Sequence, residues 1–154
     1  KELMTLHNEY PMSSIEIHRI RIPFMTWSDP RNLIDKIIKY DNLVEYPNSM
    51  TCLEDYAKFV VERVEAILKH TKQSGWFNIF HAVNKNPIPY SEIIEFIKEF
   101  LGVEMAIKTY ITPDELSKMV KVPRSNCILA EGVLPDTRTS LLQTLREYHY
   151  KVNI

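Results

Sequence analysis

The chain has 154 residues, enough for one hydrophobic core, and its 45% hydrophobic and 25% charged content is that of a folded globular protein rather than a disordered one. With 19 Lys and Arg against 20 Asp and Glu the net charge is -1, which excludes the broad basic stripe of a nucleic-acid binder. No apolar run is long enough to cross a bilayer, and no secretory signal opens the chain.

The first residue is Lys1 rather than Met, and it opens in a helical pattern, which reads as a piece of a longer protein. Leu3, Met4 and Leu6 carry that pattern through residues 1–10, and Pro11 stops it because its ring lacks the N–H a helix needs. Residues 14–24 alternate in near period two with β-branched Ile15, Ile17, Ile20 and Ile22, predicting a strand with a slip at His18–Arg19. Ser28-Asp29-Pro30 is turn chemistry before a helix over 31–40, and Leu43–Tyr46 follows as a short strand. Thr51-Cys52-Leu53-Glu54 has the spacing of a capping box and predicts a long amphipathic helix with Tyr56, Val60, Val64 and Leu68 on its apolar stripe.

Beyond Gly75 the aromatic run Trp76–Val83 predicts a strand. Ile93, Ile94, Ile97, Phe100 and Leu101 then predict a helix ending near Gly102. Lys108–Ile111 reads as a short strand. Thr112-Pro113-Asp114-Glu115 is a second capping box, opening a helix to about Val120. Arg124-Ser125-Asn126 falls in a loop, and residues 139–150 predict a last helix. Strands alternate with helices throughout, so the class is α/β, as a single domain or fragment over 1–154.

Three residue counts limit the chemistry. The three glycines, Gly75, Gly102 and Gly132, stand too far apart for either glycine-rich phosphate turn, so no dinucleotide pyrophosphate can make its close backbone approach here. The two cysteines, Cys52 and Cys127, have no paired spacing and read as buried reduced thiols, which points to a reducing, cytoplasmic setting. The five histidines are scattered without metal-ligand spacing, so no metal site is expected.

Several segments nevertheless combine into a pattern: Arg19-Ile20-Arg21-Ile22-Pro23, then Asp29-Pro30-Arg31-Asn32-Leu33-Ile34 leading through Lys36 and Tyr40 to Pro47-Asn48-Ser49-Met50-Thr51, then Gly75-Trp76-Phe77-Asn78-Ile79 and Pro123-Arg124-Ser125-Asn126. In this order they resemble the C-terminal half of the 3,5-epimerase/4-reductases of UDP- or dTDP-4-keto-6-deoxyglucose, which make nucleotide-rhamnose. These belong to the dehydrorhamnose reductase-like branch of the extended short-chain dehydrogenases, and the resemblance covers nearly the whole chain.

It implies a Rossmann-like parent whose glycine-rich NAD(P) turn and Tyr-x-x-x-Lys pair lie upstream of the Arg-x-Arg strand. In that family NADPH or NADH delivers hydride to the C4 ketone while the Tyr gives the proton and the Lys lowers its pKa. No Tyr-x-x-x-Lys occurs in this chain. Lys1 falls close to the family's catalytic lysine, and it also reads as an ordinary solvated lysine. No cofactor is expected to bind this chain alone.

The resemblance implies a UDP- or dTDP-4-keto-6-deoxy sugar as ligand. Arg21 and Arg124 are the candidates for its diphosphate or base, since guanidinium offers a planar donor fork to phosphate oxygens. Asn32, at a helix start, is a diphosphate contact or a plain cap. Ser49, Met50, Thr51 and Asn126 complete the candidate pocket, with Thr51 also readable as a cap, while Lys36 reads as solvated. The implied partner is a missing N-terminal half or a second copy, with neither nucleic acid nor membrane. Two other readings stay open: a non-catalytic regulatory module derived from a dehydrogenase, and a short cofactor-free epimerase, for which no acid/base pair is found.

Overall fold

The computed structural model describes residues 2–9, 14–69, 75–103, 105–120, 128–129 and 131–148. Helix α1 (Glu2–Glu9) leads to strands β1 (Ile15–Arg19) and β2 (Pro23–Phe24), helix α2 (Leu33–Lys39), and strands β3 (Asn42–Val44) and β4 (Thr51–Cys52). Then follow α3 (Leu53–Lys69), β5 (Phe77–His81), β6 (Asn84–Lys85), α4 (Tyr90–Leu101), β7 (Thr109–Ile111), α5 (Pro113–Met119), β8 (Leu134–Asp136) and α6 (Thr137–Arg146).

The strands pair two by two, each pair parallel: β1 with β5, β2 with β4, β3 with β7, β6 with β8. Parallel partners need a crossover between them, which is why helical segments separate every pair in sequence. The α/β class expected from the alternation is what the chain adopts.

The core sits among α2, α4, α6 and the β2–β4 pair. Ile34 and Ile37 of α2, Ile93 and Ile97 of α4, Leu141 and Leu145 of α6, and Phe24, Met50 and Ile88 beside them are buried together. Each such side chain contributes roughly 1.5–3 kcal/mol by leaving water. The three-to-four spacing in α4 puts Ile93, Ile94 and Ile97 on one face, and Gly102 ends that helix in the left-handed conformation (φ 59°). Gly132 has a different role: a β-carbon there would stand 2.5 Å from the Val83 carbonyl oxygen, so only glycine lets the approach to β8 pass so close.

Three local expectations change. The strand over 14–24 breaks into β1 and β2 at Ile22, whose φ is 36°. The capping box at Thr51 does not form: Thr51 lies in β4, and Glu54 instead accepts from the Thr26 N–H at 2.8 Å and hydroxyl at 2.9 Å. The box at Thr112 does form, with Thr112 and Glu115 bonded reciprocally. The last helix begins two residues earlier than its hydrophobic pattern suggests, because Asp136 caps it by accepting from the Thr139 N–H at 3.1 Å.

The long helix α3 buries no residue fully, and Val61, Val64 and Leu68 on it stand about half exposed or more. Its inner side packs on β1 and β5 through an aromatic cluster: His18 against Tyr56, Phe59 and Phe80, with the Phe59 and Phe80 rings 5.5 Å apart. Beside it the Arg63 guanidinium donates to both Glu16 oxygens and lies over the Phe80 ring. No helix among the described residues is long and apolar enough to cross a membrane.

Candidate functional site

The kink that divides β1 from β2 builds the site. Ile22 is β-branched and has a left-handed backbone, a strain of about 1–3 kcal/mol that only surrounding bonds can hold in place. Those bonds come from Thr51. Its hydroxyl oxygen accepts from the Arg21 N–H at 3.0 Å, its N–H reaches the Ile22 carbonyl at 3.4 Å, and its hydroxyl proton goes to the Ala82 carbonyl at 2.9 Å. β1, β4 and the end of β5 are thus tied at one point, and Arg21 is turned onto the wall of a cavity of about 790 Å³.

The cavity lining has three kinds of chemistry. Arg21, Arg31 and Lys36 bring positive charge; Tyr40, Tyr46 and Tyr90 bring aromatic faces; Ile22, Leu33, Ile37 and Leu43 bring apolar surface continuous with the core. Leu116 and Val120, at α5, complete it. The Arg21 Nε is buried and has no hydrogen-bond partner among the described residues. A buried guanidinium nitrogen left unbonded is unfavourable by about 1–3 kcal/mol or more, and the residue that carries it lines the cavity. None of the ion pairs among the described residues involves Arg21, Arg31 or Lys36. Three cations beside aromatic faces suit an anion carrying a flat ring.

The residues expected at a ligand separate into two groups. Arg21 faces the cavity. Asn32, Ser49, Met50 and Thr51 are buried behind it. The Asn32 amide nitrogen donates to the Met25 and Trp27 carbonyls at 3.0 and 2.9 Å, and its oxygen accepts from the Ile34 N–H at 3.2 Å, so it caps α2 and pins the preceding loop. Ser49 accepts from the Leu129 N–H at 2.8 Å, and Met50 belongs to the core. Lys1, Arg124 and Asn126 lie outside the described residues.

The sequence did not single out Arg31, Lys36, Tyr40, Tyr46 or Tyr90 as ligand candidates, yet all five line the cavity. A spacing signal existed: Lys36 and the C-cap residue Tyr40 are four apart, as are Leu33 and Ile37 on α2, and all four line the cavity.

A second hollow of about 200 Å³ lies between α3 and α6, lined by Cys52, Glu54, Asp55, Lys58 and Thr144 among others. Its polar groups bond one another. Asp55 accepts from Ser140 at 2.5 Å and from the Asn84 amide at 3.2 Å, and Asn84 also accepts from the Cys52 N–H at 2.7 Å. Burial pushes the Cys52 thiol up to about 12, so it is no nucleophile at neutral pH. Among the described residues no group of His, Cys, Asp or Glu could hold a metal ion.

The glycines do not offer a dinucleotide cradle: Gly102 terminates α4, Gly132 is packed against the 83–84 backbone, and Gly75 precedes a strand rather than a helix. None of these three glycines stands at a strand-to-helix turn of the kind that cradles a dinucleotide pyrophosphate.

No protein-family model matches the chain. Over 139 residues it is 29% identical to a trifunctional UDP-glucose 4,6-dehydratase/UDP-4-keto-6-deoxy-D-glucose 3,5-epimerase/UDP-4-keto-L-rhamnose-reductase of Arabidopsis thaliana, covering 88% of this chain and 19% of that protein. Over 109 residues it is 29% identical to a bifunctional dTDP-4-dehydrorhamnose 3,5-epimerase/dTDP-4-dehydrorhamnose reductase of the same plant, covering 70% and 33%. The chain is homologous to part of the nucleotide-rhamnose epimerase/reductases. It spans at most a third of the length of these two relatives.

Two solved structures share the fold of this chain. The L780 UDP-rhamnose synthase of Acanthamoeba polyphaga mimivirus matches with a TM-score of 0.73 at 20% identity, over 93% of this chain and 49% of that one. A dTDP-4-dehydrorhamnose reductase of Clostridium acetobutylicum matches with a TM-score of 0.55 at 17% identity, over 84% and 47%.

Proposed function

We propose that this chain is the sugar-nucleotide-binding portion of an NAD(P)H-dependent 4-keto-6-deoxyhexose nucleotide reductase/epimerase in rhamnose nucleotide synthesis, working in the cytoplasm. The observation that carries this reading is the buried, unbonded Arg21 Nε at a cavity that also presents Arg31 and Lys36. A diphosphate between these cations satisfies the orphaned donor, and the Tyr40, Tyr46 and Tyr90 faces suit the base or sugar. Asn32, Ser49, Met50 and Thr51 act behind the wall, holding the backbone that presents Arg21; Arg124 and Asn126 are further ligand candidates on the segment that follows α5.

The hydride donor, NADPH or NADH, and the tyrosine of the catalytic pair belong in this reading to a separate dinucleotide-binding half, with Lys1 as the candidate for the pair's lysine. The chain's own residues bind and orient the substrate and exclude water around it. Thermal melting separates this from a purely regulatory module. A ligand that binds only the folded state raises the midpoint. UDP and dTDP are expected to raise it and NADPH to leave it unchanged; a rise with NADPH alone, or none with either nucleotide, overturns the reading.

A further inference from the structure

Resting on that reading, we propose that Glu45 is a positioning residue for the base of the nucleotide: its carboxylate holds Tyr46 opposite Tyr90, and the two rings form the surface on which that base lies. The segment after β3 and the segment before α4 run antiparallel and meet in one bridge, Asn48 with Ile88. Counting outward from that bridge, Pro47 comes opposite Pro89, Tyr46 opposite Tyr90, and Glu45 opposite Ser91.

Such a pairing cannot spread by backbone bonds alone. Pro47 and Pro89 have no N–H to donate, so the next rung is lost on both sides. Glu45 supplies a bond in its place. Its carboxylate accepts from the Ser91 N–H at 3.2 Å and from the Ser91 hydroxyl. Pro89, the N-cap of α4, makes no side-chain cap bond, so Glu45 also satisfies an N–H of that helix's first turn and meets the positive end of its dipole. From the other side, the Glu45 N–H reaches the Ile111 carbonyl at 3.4 Å. Glu45 is therefore fixed between β7 and α4.

The placing of the two tyrosines follows from this joint. Opposed residues of an antiparallel pair stand with their β-carbons about 4.5–5.5 Å apart, close enough for two rings to share one surface. Tyr46, Tyr90 and Asn48 all line the cavity of about 790 Å³, and neither tyrosine is fully buried. Arg21, Arg31 and Lys36 line the same cavity, so a nucleotide that rests its phosphates on them can lay its base against the tyrosines. A base is flat and stacks on aromatic faces, whereas a hexose ring is puckered, which selects the base for this surface.

Titration of UDP into the full chain and its variants tests this. Glu45→Ala is expected to weaken UDP binding about tenfold, the size of one stacking contact between a base and a ring. With Tyr46→Leu and Tyr90→Leu already present, Glu45→Ala should weaken it less than about twofold further, whereas beside Arg21→Gln its loss should persist in full. A merely structural role would give the same loss in every background. Glu45→Gln, which keeps an acceptor for the Ser91 N–H, should recover most of the affinity. Ser91→Ala, which loses only the hydroxyl bond, should show the same coupling at smaller size, and it takes the place of Glu45→Ala if that variant does not fold. Unchanged affinity in Glu45→Ala, or a loss independent of the tyrosines, overturns the proposal while leaving the nucleotide reading intact. No UDP binding by the unaltered chain sinks both.

Discussion

The Thr51 hydroxyl links Arg21 to Ala82: it accepts from the Arg21 N–H at 3.0 Å and donates to the Ala82 carbonyl at 2.9 Å. One fully buried side chain thereby fixes the kink at Ile22 against the end of β5. Thr51→Val keeps the shape but leaves two buried backbone groups unpaired, and it is expected to destabilise the fold by about 1–3 kcal/mol in urea titration. Because the kink presents Arg21, the variant should also bind UDP more weakly. Thr51→Ser, which keeps the hydroxyl, should restore most of both.

The cation wall makes a graded prediction. Lys36→Gln and Arg31→Gln remove charge at partly or largely exposed positions, so each should weaken UDP binding several-fold without moving the melting midpoint of the free chain. Arg21→Gln should weaken it more, since its Nε is the buried one. Calorimetric titration at two salt concentrations checks this: added salt should reduce wild-type affinity and reduce that of Lys36→Gln less.

How much of this was legible in the sequence depends on the range of the interaction. Helices α2, α4 and α5 follow from local signals, namely a buried stripe at helical spacing in α2 and α4, a glycine stop for α4 and a capping box for α5. Strands β4, β6 and β8 were not, because none holds a run of β-branched or aromatic residues and each exists only through a partner more than twenty residues away. Thr51 shows the limit. Its spacing to Glu54 is that of a capping box, yet long-range bonds to Arg21 and Ala82 outcompete the local one. At the cavity, the motif drew attention to Arg21, which lines its wall. That Lys36 lines the same cavity could not be read locally, since a lysine on a helix looks solvated until the fold sets it beside other cations.

Acid should loosen the β1–α3 contact. The Arg63 guanidinium, ahead of bonds from His18 and Trp76, holds the Glu16 carboxyl below the usual carboxylate range, against the opposing effect of burial. A carboxyl whose folded pKa is lowered contributes stability that is complete above its unfolded pKa, about 4.3, and is lost as pH falls through the folded value. Glu16→Gln should therefore cost about 1.5–3 kcal/mol at pH 7 and show a smaller loss of stability than wild type between about pH 5 and 3. Urea midpoints across that range measure it; a parallel loss in both proteins contradicts it.

Cys52 should be silent to alkylating agents. Its thiol is buried and pushed up to about 12, chiefly by desolvation, so the reactive thiolate is scarce at pH 7. Iodoacetamide followed by peptide mass analysis should label it only in urea. Labelling of the native chain at the rate of a free thiol would show that the layer between α3 and α6 opens readily.

Two glycines should fail for different reasons when replaced by alanine. At Gly102 a new β-carbon meets nothing within 4 Å, so the effect is conformational alone: a left-handed backbone (φ 59°) is disfavoured for alanine by about 1–2 kcal/mol. At Gly132 the β-carbon would sit 2.5 Å from the Val83 carbonyl and 3.1 Å from that of Asn84, and both are backbone atoms that cannot rotate away. The β6–β8 pair must then separate, disturbing Asn84, whose amide bonds Asp55, Ser140 and Pro135 behind the main core. Gly132→Ala should therefore destabilise by more than Gly102→Ala and speed amide exchange at Leu134, whose N–H donates to the Val83 carbonyl at 3.2 Å. Equal urea midpoints for the two variants would mean that the approach to β8 yields without loss.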